Sequence, residues 1–62
     1  KIVVRNNDHL PPHVHIVGGG VNAVVVLRTL EVFGQIKGGE KAIKFVTENS
    51  NEYIKFWNTI NP

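Results

Sequence analysis

The period of the hydrophobic pattern changes once along this chain. Ile2-Val3-Val4-Arg5 is β-branched and short, which predicts a strand, and the side chains of Asn6-Asn7-Asp8 favour a turn that ends it. From His13 to Val17 apolar and polar residues alternate. Period-two geometry therefore places His13, His15 and Val17 on one face and Val14 and Ile16 on the other. Gly18-Gly19-Gly20 supplies the positive-φ freedom that a hairpin turn requires. Val21 to Arg28 predicts the next strand, antiparallel to the one before. Its unbroken apolar run from Ala23 to Leu27 predicts a central strand buried on both faces. Leu30 to Ile36 predicts a weaker fourth strand, kinked near Gly34. Beyond the Gly38-Gly39 hinge the period becomes helical: Ala42, Ile43 and Val46 recur on one side while Lys41, Lys44 and Glu48 point away. Asn49-Ser50-Asn51 interrupts this helix, and Asn49 with Glu52 has the spacing of a capping box for a second one. Tyr53, Trp57 and Ile60 form its apolar stripe, widened by Ile54 and Phe56, with Trp57 read as core.

These elements predict an α+β domain, 1–62, with a three- to four-stranded antiparallel sheet and two short C-terminal helices packed on one face. Strands are expected over about 1–5, 13–17, 21–28 and 30–36, and helices over about 40–49 and 52–60. A chain this short buries only about 60% of its unfolded surface. It has no cysteine, so neither a disulfide nor a thiolate metal site can staple it. A homo-oligomer, a small partner protein, or both are therefore expected to share the work of stabilisation. The longest apolar run is far too short to span a membrane, and no signal peptide is visible. A cytoplasmic location, without a membrane partner, is the expectation. The chain has no methionine, so Lys1 is not expected to be the first encoded residue. Formal net charge is +2, with Glu40, Glu48 and Glu52 interspersed among the lysines. That balance permits nucleic acid as a partner but lacks its usual clustered basic footprint.

All three histidines fall in His9-Leu10-Pro11-Pro12-His13-Val14-His15, directly after Asp8. Histidine is the commonest metal ligand and the side chain that titrates near neutrality. Pro11 and Pro12 restrict the backbone that carries the cluster. His13 and His15, two apart on a strand and about 7 Å apart at Cα, can converge on one ion or one anionic group. A divalent metal such as zinc on His13 and His15, with His9 or Asp8 completing the set, is one expectation, although no cofactor is required. Metal binding would weaken between about pH 7 and pH 5, whereas anion binding would strengthen, because protonated imidazole cannot ligate a cation. Acid–base catalysis on nucleic-acid phosphodiesters is another, with His9, His13 and His15 as candidate catalytic groups and Arg5 or Arg28 stabilising charge. A plainer account uses Asp8 to cap the turn or fix a tautomer, leaves the histidines bonded to backbone, and lets Pro-Pro guard a sheet edge. The glycine triplet precedes a strand, which favours a hairpin over a phosphate loop.

The octet Asp8-His9-Leu10-Pro11-Pro12-His13-Val14-His15 resembles the D-H-x-P-P-H-x-H signature of a family of short bacterial and phage proteins, domain of unknown function forty-one-sixty. The resemblance covers essentially the whole chain, including the apolar strand over Asn22 to Leu27 and a two-helix tail with Trp57. Members of that family carry a short stretch before the first strand. They are often encoded beside another small protein, in pairs like toxin–antitoxin cassettes. The resemblance thus implies a bacterial or phage-infected cell and a protein partner, and it assigns no catalytic role. The expected function is a binding or regulatory module of such a system. Its recognition surface would be Asp8, His9, Pro11, Pro12, His13 and His15, with Arg5 and Arg28 as flanking candidates. The alternative is a small metal- or histidine-dependent enzyme acting on phosphodiesters.

Overall fold

The computed structural model of the chain describes residues 1–5 and 9–62. Four strands form an antiparallel meander in the order β1-β2-β3-β4: β1 is Ile2–Val3, β2 His13–Gly18, β3 Val21–Val26 and β4 Val32–Gln35. Two helices follow, α1 over Glu40–Glu48 and α2 over Ser50–Ile60. This is an α+β fold, with β2 and β3 as the central strands.

The β2–β3 hairpin sets the register of the sheet. Gly18 pairs with Val21, so the loop is the two residues Gly19 and Gly20, whose φ values are 56° and 86°. Positive φ at both positions is the geometry whose twist matches the flanking strands, and glycine adopts it without a side-chain clash. That turn places His13 opposite Val26, His15 opposite Val24 and Ile16 opposite Ala23. One face of the sheet carries Val14, Ile16, Val21, Ala23 and Val25, which join Leu27, Val46 of α1 and Trp57 of α2 in the core. Ala42, Ile43, Tyr53 and Ile54 from the helices, with Ile2, Val4 and Val32, pack around it. Burial of each large apolar side chain stabilises by about 1.5–3 kcal/mol, which is the main force seating the helices on that face.

Several expected boundaries change. β1 is shorter than 1–5, β3 ends at Val26 rather than residue 28, and β4 is confined to Val32–Gln35 instead of 30–36. Beyond Val26 the chain turns: Leu30 N–H donates to Val26 O at 2.7 Å, and Leu27 N–H to Pro12 O at 2.9 Å. β3 is buried on one face only, since Asn22 is exposed and Val24 and Val26 are half-buried. The helices cover a single side, so an apolar run did not mean two covered faces. The break between helices is Asn49 alone, and α2 begins at Ser50 rather than residue 52. Asn49 makes no side-chain cap; its Nδ2 instead donates to Phe45 O at 2.8 Å. Phe56, expected to widen the apolar stripe, is 53% exposed. No helix among the described residues is long and apolar enough to cross a membrane.

Candidate functional site

The histidine–proline segment leads into β2 along the sheet face that the helices leave open. Pro12 and His13 are buried, His15 is half-buried and His9 is exposed. The Leu10–Pro11 peptide is cis. His13 Nδ1 lies 2.7 Å from Pro11 O. A carbonyl oxygen can only accept, so Nδ1 carries a proton directed at Pro11 O. The His13 ring centroid is 5.1 Å from that of His15, nearly edge-on, 6.2 Å from His9 and 6.5 Å from Trp57. Trp57 is core, as expected, and its buried Nε1 has no hydrogen-bond partner among the described residues.

His9, Pro11, His13, His15, Val24 and Val26 line an open depression of about 340 Å³. The two valines are there because the hairpin register sets Val24 opposite His15 and Val26 opposite His13, on the same face. Imidazole and pyrrolidine rings form the walls and isopropyl groups the remainder. The volume lies at the lower end of small-ligand sites, about 300–1,000 Å³. Such a surface accepts an apolar or aromatic group. No group of three histidine or carboxylate side chains among the described residues is arranged to hold a metal ion.

The family model for DUF4160, a domain of unknown function, matches residues 1–58. The chain belongs to that family. Neither a curated protein nor a solved structure matches it. The region shared with DUF4160 takes in the histidine–proline segment, the whole sheet and α2 as far as Asn58.

In this DUF4160 chain the fold brings His9, Pro11, His13 and His15 to one place. Pro12 stands beside them in the chain, buried, and its carbonyl accepts from Leu27 N–H. Asp8 lies outside the described residues. Arg5 and Arg28 are exposed and neither lines the depression. Arg5 is tied elsewhere, through its carbonyl, to Nδ2 of Asn61, which also reaches Trp57 O at the end of α2. Sequence reasoning missed Val24 and Val26. The signal was present: a two-residue turn at Gly19-Gly20 pairs residues whose numbers sum to 39, which puts both valines across from the histidines.

Proposed function

We propose that this DUF4160 protein is a small binding module in a toxin–antitoxin-like or phage-encoded pair, with the imidazole-walled depression as its recognition surface for the partner protein. The observation that supports this reading is the depression itself: open and lined by His9, Pro11, His13, His15, Val24 and Val26, with no lysine or arginine in its lining. An apolar side chain of the partner fills it. The family resemblance, with its paired genes, supplies the kind of partner.

A second reading, phosphodiester chemistry, has one observation in its favour. Pro11 O fixes the His13 ring through its Nδ1 proton, 5.1 Å, ring to ring, from His15. It lacks a cation where the phosphate charge would develop, because Arg5 and Arg28 stand outside the lining.

The test is calorimetric titration with the product of the adjacent gene. Val24→Lys puts a charge into the depression without touching the core and should weaken the complex at least tenfold, about 1.4 kcal/mol. An unaltered affinity in Val24→Lys and His13→Ala would remove the depression from the interface. Cleavage of a labelled RNA oligonucleotide, abolished by His13→Ala, would replace the binding reading with the enzymatic one.

A further inference from the structure

We infer that two copies of this chain pair through the free edge of β4, in antiparallel register about a two-fold axis at Gly34. This inference is independent of what the depression binds.

β4 is the last strand of the sheet, so its outer side has no strand beside it among the described residues. Natural edges are usually blunted by lysine, proline or a covering element. Val32-Phe33-Gly34-Gln35 contains neither proline nor charge. The chain also leaves β4 inward: Gly38 and Gly39 lie against Val21 at the start of β3, which carries α1 over the sheet and away from the edge. Glu31 O accepts from Val26 N–H at 2.9 Å, so the main-chain groups of Glu31, Phe33 and Gln35 turn towards β3. By the alternation of an antiparallel ladder, those of Val32 and Gly34 and the N–H of Ile36 turn outward, whereas Ile36 O accepts from Gly39 N–H at 2.8 Å.

Self-pairing about Gly34 uses that outward set. Gly34 meets its own copy as a hydrogen-bonded pair, and Ile36 N–H donates to Val32 O of the copy, while Ile36 O stays with Gly39 N–H at 2.8 Å. Phe33 stands opposite Gln35, and Glu31 faces Lys37, the first residue of the turn that follows Ile36. Charge complementarity selects this register. The only charged residues next to the strand, Glu31 before it and Lys37 after it, fall opposite each other twice across the two-fold. A two-residue slip in either direction loses both matches. Glu31 Oε1 already accepts from Thr29 Oγ1 at 3.0 Å, which holds the carboxylate by the turn and leaves its other oxygen for the lysine. The pairing also covers apolar surface that the single chain exposes, Phe33 at 56% and Ile36 at 43%. Gly34 bears no side chain at the crossing point.

The axis runs normal to the sheet. All four helices of the pair then lie on one side, and the two imidazole-walled depressions lie on the other. β2 and its copy are five strand spacings apart, about 24 Å, so the pair presents two equal sites to a two-fold partner.

The experiment is sedimentation equilibrium of wild type, Glu31→Lys, Lys37→Glu and the double variant. An interface this small is of the weak class, so the series runs from about 10 μM to 1 mM. Wild type should dimerise, and each single variant, with two like-charge contacts, should dissociate about tenfold more readily. The double variant restores both pairs with signs exchanged and should regain wild-type affinity within about threefold. Both residues are exposed, and circular dichroism checks that each variant is folded. A wild-type chain that stays monomeric overturns the inference. So does a dimer that ignores the single charge reversals, or one not rescued in the double variant. A dimer broken only by Val24→Lys would place the contact on the open sheet face instead.

Discussion

A single main-chain carbonyl decides what His13 offers to a ligand. Free imidazole in water carries its proton mainly on Nε2; here Pro11 O holds it on Nδ1. A long-range proton–nitrogen spectrum in alkaline solution should therefore show His13 Nδ1 as the protonated nitrogen. The opposite pattern would mean that Pro11 O does not hold the His13 ring in this way. Gly34 is equally constrained. Its φ is 98°, and a Cβ there would run into Asn22 O of β3. Positive φ costs an L residue about 1–2 kcal/mol, and the clash adds to it. Gly34→Ala should lower the urea midpoint of dilute protein by the equivalent of about 2–4 kcal/mol with an unchanged slope. A loss under about 0.5 kcal/mol would mean that β4 is not held in this geometry. That the histidines cluster was legible from their spacing, and a kink at Gly34 was legible from its strand. Which nitrogen is protonated was not, because it depends on how the chain folds back over Pro11.

Each helix depends on the sheet for its stability. α1 and α2, at nine and eleven residues, are shorter than isolated helices that persist in water. Neither has a side-chain N-cap. Their anchors are Val46, fully buried, and Trp57, 3% exposed. Trp57→Ala should cost about 3–5 kcal/mol. A domain of this size holds roughly 3–9 kcal/mol in total, so the variant should have lost its dispersed amide spectrum at room temperature. Trp57→Phe keeps most of the packing and should stay folded. If Trp57→Ala melts within a few degrees of wild type, α2 is not held by that side chain. Element types were legible because period two and period 3.6 differ plainly between Val14 and Ile54. Element ends were not: Asn49 has a capping residue's identity, yet its amide turns back to Phe45 O. Local hydrogen bonds compete at such positions, and tertiary packing selects among them.

For the whole molecule, the decisive fact is that, among the described residues, the helices cover one sheet face and leave the other open, and no strand pairs with the outer side of β4. The open face holds the histidines; the β4 edge holds the matched charges. If the edge pairs as inferred, folding is linked to association, and the melting temperature of wild type should rise by several degrees between about 10 μM and 1 mM. Glu31→Lys should flatten that dependence over the same range. A melting temperature independent of concentration in wild type would argue against any association coupled to folding.

The order of strands and helices, the hairpin at Gly19-Gly20 and the gathering of three histidines before and within β2 were determined by the sequence alone. Each rests on contacts between residues near in the chain, where periodicity and turn chemistry act directly. Only the tertiary structure decided that β3 is covered on one side, that Val24 and Val26 complete the histidine depression, that Arg5 and Arg28 stand outside it, and that β4 is the last strand of the sheet. Those outcomes depend on where two short helices come to rest. That is set by the sum of many apolar contacts between distant residues, which no local pattern records.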